Sequence, residues 1–371
     1  MPSFPHVDPI PLPAPVWFFK SLEILTVSLH FMALQLLVGG LVVASLWAIG
    51  GRRRGDQVLI DASGAVATRL PILMTYVINL GVPPLLFAQV LYGRALYTSS
   101  VLIGTFWISV VLLLMMSYMC LYHMSSRAGR GKAWGWIGLV GLVITVKIGL
   151  IYTSNMTLMI RPDVWREMYS EDALGFHLNS GDPTVMPRWL FMMFGGLTVG
   201  GVGMMFLGLA KRLSAESSEF LRRWGARIAA KGAIVQAGLG YWVISAQPGP
   251  VQESLGQSTL YGTCLIAWIA CAALLFLLGL IAQARAQVAT WLWPGIAGLL
   301  IFVGTLAMAI YRGGIRDVTL ALRGFDVWDR AVASNWIVVG VFLVSFVFGL
   351  GVIAWLVSIA FRTSEVEKKY A

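Results

Sequence analysis

The sequence predicts an all-α, polytopic transmembrane helical bundle of about nine spans, and three observations carry that prediction. Of 371 residues, 58% are hydrophobic and only 12% are charged, against roughly 25% charged in a soluble domain. Mean hydropathy is +0.79. Apolar runs of about 20 residues, the length that crosses a bilayer, recur along the chain, and its 15 Trp and 40 Gly suit interface belts and close helix contacts. A soluble enzyme is excluded.

The first 17 residues, MPSFPHVDPIPLPAPVW, are proline-rich and lack a basic n-region, so they read as an extended extracytoplasmic arm with a solvated His6, not a cleaved signal. Spans follow at roughly 18–50, 70–97, 100–124, 134–155, 188–210, 227–246, 259–283, 288–311 and 335–361. The bundle thus occupies 18–361, with outer loops at 156–187 and 312–334 and a tail at 362–371. Arg52–Arg54, then Arg127, Arg130 and Lys132, then Lys211, Arg212, Arg222 and Arg223 follow alternate spans, and Lys368 and Lys369 end the chain. Because lysine and arginine beside a span resist translocation, these segments read as cytoplasmic and the N-terminus as outside, in a bacterial inner membrane. The net charge of +10 is therefore a topology signal, and nucleic acid is not an expected partner.

Each outer loop mixes charges and holds a tryptophan, Trp165 or Trp328, among apolar neighbours. Either loop suits a short helix on the membrane surface, as a lid or as a docking platform for a partner.

Cys120, Cys264 and Cys271 stand singly in apolar runs, without C-x-x-C-H or an iron–sulfur quartet, and read as packing residues. No dinucleotide glycine pattern, Walker motif or HExxH is present, and no metal site is expected. A redox centre held by this chain alone would need a non-covalent cofactor, with His6, His30, His123 and His177 as the available histidines.

Ionisable groups inside spans are costly and point to function or to an ion pair. Glu23, Thr26 and His30, at i, i+3 and i+7, share one face of the first span, with Lys20 a turn above. At about 1.5 Å per residue, Glu23 lies roughly 8 Å and His30 roughly 18 Å below its outer end. Lys147, alone in GLVITVKIGLIYTSN, lies about 12 Å deep by the same rise and needs a partner. An ion pair with Glu23 and donation to a ligand carbonyl are both open to it.

In the second span Pro83 and Pro84 lack amide donors and open the helix, ahead of Gln89, Tyr92 and Arg94. Gln89 falls about 13 Å from the outer end, in the layer of Gln236, and Tyr152 ends the fourth span. These residues predict a polar pocket in the outer half, with Glu23, His30 and Lys147 as its reactive groups and Gln89, Tyr92, Arg94, Tyr152 and Gln236 around a cofactor. Tyr97-Thr98-Ser99-Ser100 and Tyr152-Thr153-Ser154-Asn155 echo one another at two outward ends. Gly196 and Gly200, at i and i+4, predict tight packing of the fifth span. His123 lies too far below His30 for a bis-histidine haem.

The stretches NLGVPPLLFAQVLYGRALYTSS, IYTSN and LNSGDPTVMPR, within 70–190, resemble polytopic bacterial membrane proteins associated with multihaem c-type cytochromes and respiratory electron transfer. The resemblance implies a membrane subunit that exchanges electrons with an extracytoplasmic c-type cytochrome or another redox subunit, and supplies no catalytic residues. The histidine sets of haem–copper oxidases and the quinol-loop patterns of cytochrome bd are absent.

Quinone is the expected cofactor, since its carbonyls need donors and a proton acceptor within an apolar slot. A b-type haem on His30, with its second ligand from elsewhere, is the variant. A proton-coupled transporter with a site near mid-membrane, and an anchor whose polar layer only sets helix register, also fit the same pattern.

Overall fold

The computed structural model describes residues 11–362, with side chains through Trp355; His6, Lys368 and Lys369 lie outside the described residues. Twelve helices run in the order α1 (Val16–Arg54), α2 (Gln57–Ala67), α3 (Leu70–Leu102), α4 (Gly104–Gly129), α5 (Gly135–Leu158), α6 (Trp165–Glu171), α7 (Val185–Leu207), α8 (Ala215–Ser245), α9 (Gly249–Gln257), α10 (Thr259–Ala284), α11 (Leu292–Ala321) and α12 (Trp336–Arg362). The chain is an all-α multi-pass bundle. Among the described residues eight helices are long and apolar enough to cross a membrane. α8 is a further long helix, whose first half carries Glu216, Glu219, Arg222, Arg223 and Arg227 and which lies between α7 and α10.

The long helices alternate in direction, so the basic segments gather at one end, here the lower. Side chains there tie the connections together: Arg52 donates to the Gly131 carbonyl, and Arg222 donates to those of Gly208 (2.6 Å) and Ala286 (2.8 Å). α1 ends at Gly55, whose φ of +66° lets its amide return to the Gly51 carbonyl. The upper end, which the charge pattern assigns to the outside, carries α6, α9 and the segment after α11.

α1 is the centre of the bundle, packing on α3, α5, α7 and α11. α7 approaches α1 closely, where glycines admit the backbone. A Cβ on Gly196 would lie 2.9 Å from the Gly39 nitrogen, and one on Gly200 would lie 2.9 Å from the Gly39 Cα. Without a hydrophobic drive between helices in lipid, such contact is how packing energy is gained.

Three expectations change here. The loop at 312–334 is shorter than its sequence suggests, because α11 continues to Ala321 and carries Arg312, Arg316 and Asp317 as helical residues. The pair Gly313-Gly314 ends no helix; Gly314 makes room for Tyr261, whose Cζ would lie 2.7 Å from an added Cβ. No surface helix forms around Trp328, and residues 11–13 pair there instead, with Leu12 donating to the Ala331 carbonyl at 2.8 Å and accepting from Ala333 at 2.9 Å. In α3 the departure from helical geometry falls at Tyr92 (φ −124°, ψ 21°), not at Pro83 and Pro84, which lie inside the helix.

The other outer loop does form a short helix, α6. Trp165 at its start is buried and donates to the Leu158 carbonyl at 2.9 Å. Asp163 joins the two loops by pairing with Arg161 (2.9 Å) and Arg323 (2.5 Å). The two echoed tetrapeptides meet, Asn155 Nδ2 donating to Ser100 Oγ at 3.0 Å.

Candidate functional site

The polar face of α1 leads to the site. Glu23 and His30 lie on the wall of a cavity of about 440 Å³ lined by α1, α3, α4, α5, α7, α8, α10 and α11. Its volume lies within the range of small-molecule sites. Most of the wall is apolar, with Phe31, Met74, Pro84, Ile148 and Trp268 among its residues. The polar groups number few: Glu23, His30, Tyr152, Arg188, Arg312 and Arg316 are the principal ones.

His30 is held on its far side. Its Nδ1 lies 3.0 Å from the Val77 carbonyl, which can only accept, so Nδ1 carries the proton and Nε2 keeps a lone pair. The ring fits because residue 81 is glycine: an added Cβ there would lie 2.9 Å from His30 Cε1 and 3.0 Å from Nδ1. The α3 backbone thereby fixes both the tautomer and the position of the imidazole.

Glu23 is buried and paired, its two carboxylate oxygens lying 2.7 and 2.8 Å from Arg316 Nη2. Beside this pair, Lys20 Nζ contacts Asp317 Oδ2 at 2.5 Å and donates to the Tyr92 hydroxyl at 2.5 Å, while Tyr92 donates to Asp317 Oδ1 at 2.6 Å. The Arg316 guanidinium lies over the Tyr92 ring, 3.9 Å from its centroid. Lys20 and Arg316 thus balance Glu23 and Asp317 within one buried cluster. Such groups are tolerated in a bilayer when they satisfy one another.

Tyr152 lines the cavity and meets Trp107 edge-on, with centroids 5.0 Å apart. The remaining predicted residues lie elsewhere. Lys147 is exposed on the outer face of α5, away from Glu23, whose partner is Arg316. α5 is apolar around its whole circumference, so spacing along it does not reveal which side turns inward. Tyr92 belongs to the ion cluster behind the wall, and Arg94 stacks over Phe325 at 4.8 Å. Gln89 is half-buried outside the cavity. Gln236 faces a second, 40 Å³ cavity together with Gln35, Thr198 and Thr305. His123 is exposed near the lower end, and His177 lies in the loop before α7.

Sequence reasoning missed Arg188, Arg312, Arg316 and Asp317. A signal was present for two of them, since Arg312 and Arg316 are four apart and fall on one helix face if the preceding apolar run continues.

No family model matches the chain, and no curated protein does. Among solved structures, a bd oxidase from Geobacillus thermodenitrificans is similar, with a TM-score of 0.61 and 13% identity over 93% of this chain and 97% of that one. At that identity the likeness establishes the fold, which this chain shares over almost its whole length with a bd oxidase chain.

Proposed function

We propose that this chain is a membrane subunit of a respiratory electron-transfer complex in the bacterial inner membrane, binding quinol or quinone in the cavity beside α1. The observation that carries the reading is His30: its ring lines an apolar cavity with Nδ1 bound to the Val77 carbonyl, so that Nε2 keeps a free lone pair. The fold shared with a bd oxidase supports a respiratory role.

Oxidation of a quinol to a quinone releases two protons and two electrons. His30 Nε2 accepts the protons one at a time and passes them toward the upper end. Tyr152 and Arg312 are the donors on the wall for the carbonyl oxygens. The electrons leave to an extracytoplasmic c-type cytochrome or another redox subunit, docked on the loops joined by Asp163 and Arg323. Glu23, engaged by Arg316, positions that arginine and takes no proton. Lys147 has no part in this chemistry.

A second reading rests on the same nitrogen. An imidazole held by a backbone carbonyl, apolar walls and nearby arginines would suit a b-type haem, which His30 Nε2 would hold. Haem would supply one-electron transfer, and the chain would orient the ring through Val77 and Gly81.

The deciding experiment is a reduced-minus-oxidised spectrum of the purified protein, together with extraction of bound quinone, for wild type and His30→Ala. Recovered quinone that His30→Ala loses supports the first reading, and a haem band lost in that variant supports the second. A colourless, quinone-free preparation overturns both.

A further inference from the structure

The cavity wall carries more positive charge than its carboxylates balance. Arg316 is matched by Glu23, and Lys20 by Asp317. Asp182, the nearest remaining carboxylate on the Arg188 side, is bound to Arg161 at 3.2 Å. Arg188 and Arg312 are left without an ion pair among the described residues.

Their other contacts are modest. Arg188 Nη2 donates to Gln247 Oε1 at 2.9 Å, while its Nε is buried with no hydrogen-bond partner. The Arg312 guanidinium lies over Phe31, 5.4 Å from the ring centroid. Arg188 feels the attraction of Asp182 and the repulsion of Arg316, and Arg312 the repulsion of Arg316 and Arg188 against the attraction of Glu23, so neither has a carboxylate of its own. An arginine inside a bilayer costs several kcal/mol unless an anion or water meets it. Two of them turned on one apolar cavity suit an anionic group.

The rest of the wall describes what such an anion is attached to. Around the arginines the cavity is lined by Val27, Leu34, Met74, Ile78 and Leu85, which offer nothing to a hydrated ion. The wall reaches the bundle surface at Val82, which is 50% exposed on α3, so a molecule dissolved in the bilayer has a way in.

We infer that Arg188 and Arg312 anchor the acidic head, a carboxylate or phosphate, of an amphipathic molecule whose apolar body fills the cavity beside α1. Guanidinium forks suit both oxyanions through paired charge-assisted hydrogen bonds. The inference concerns the same cavity as the quinone reading and reassigns Arg312 within it, so an acidic occupant would stand in the quinone's place. A neutral quinone leaves the two charges unmatched, and an acidic lipid bound without redox activity satisfies the inference alone.

The test compares probes that share a body and differ in charge. Oleate and methyl oleate are titrated against the full chain in a neutral detergent, with binding followed by thermal shift; dioleoyl phosphatidic acid and dioleoylglycerol form a second pair. Wild type is expected to bind each acidic probe at least about tenfold more tightly than its neutral counterpart, the size of one lost charged hydrogen bond. Arg188→Gln/Arg312→Gln is expected to lose that preference, and Arg188→Lys/Arg312→Lys to keep part of it. The lysine variant shows that the bundle survives substitution, and single Gln variants serve if the double one does not fold.

Extraction of purified wild type identifies the natural source. A fatty acid or phospholipid marks a lipid, and a haem band marks a cofactor bearing carboxylates. Equal binding of oleate and its methyl ester by wild type overturns the inference, as does a preference that persists in the double Gln variant. Quinone retained by Arg188→Gln once the acidic molecule is lost leaves the redox reading intact, since that variant keeps Arg312.

Discussion

Glu23 and Arg316, 293 positions apart, meet inside the bundle with 2.7 Å between carboxylate and guanidinium. The pair links the polar face of α1 to the last turns of α11, and both residues are buried. It thereby places Arg316 over Tyr92 and sets the upper boundary of the cavity.

Removing one partner leaves the other charge buried and alone. Arg316→Met is expected to destabilise the bundle by about 3–5 kcal/mol, read as a lowered melting temperature in detergent. Glu23→Gln/Arg316→Met is expected to recover part of the loss. A double variant no more stable than Arg316→Met would show that the two residues are uncoupled.

Tyr92 accepts a hydrogen bond from Lys20 and donates one to Asp317. Tyr92→Phe keeps the ring under Arg316 but leaves both partners short of a contact, at an expected cost of about 1–3 kcal/mol. Unfolding curves for Tyr92→Phe and Tyr92→Leu separate the hydroxyl from the ring, with the leucine variant the less stable.

His30 and Gly81 act as a unit, because a Cβ at 81 would press on the imidazole. Gly81→Ala is expected to lower quinone or haem content as His30→Ala does, by tenfold or more in affinity, with helix content by circular dichroism unchanged. Full cofactor content in Gly81→Ala would show that the ring has room to move.

Lys147 faces outward on α5. Lys147→Met is expected to leave cofactor content unchanged and to favour insertion, by up to about 2.5 kcal/mol at full depth. Glycosylation-tagged insertion assays measure the second effect. A loss of cofactor in Lys147→Met would return this residue to the site.

In the loop before α7, the amides of Phe176 and Leu174 donate to Asp172, at 2.7 and 2.9 Å, and hold its carboxyl below the usual carboxylate value of 3.8. A depressed folded value means that this contribution to loop order is present above pH 3.8 and is lost as pH falls through the lower folded value. Hydrogen exchange at the two amides should therefore speed up at acid pH relative to Asp172→Asn, which should show no such transition.

Much of the architecture was legible in the sequence. Long apolar runs have few alternatives to helices in a bilayer, because each backbone group must be satisfied within its own segment; eight of the nine predicted spans accordingly fall on α1, α3, α4, α5, α7, α10, α11 and α12, while the one at 227–246 falls on α8, which is long but not apolar enough to count among the eight described helices that could cross a membrane. That α7 packs tightly through Gly196 and Gly200, and that Glu23 and His30 share one face of α1, followed from local spacing; that α1 is the helix α7 packs on did not.

What the sequence left undetermined was which face of each helix turns inward and which distant residues meet. Lys147 lies at the depth expected for a partner of Glu23, yet α5 is apolar on every side and its rotation is set by packing on α1, α4 and α7. Arg312, Arg316 and Asp317 look like loop residues after a span until Tyr261 occupies the space beside Gly314 and the helix runs on. Depth and span are properties of one segment and are encoded by its own composition. Facing and pairing depend on free energies shared between segments hundreds of residues apart, and only the tertiary structure decided them.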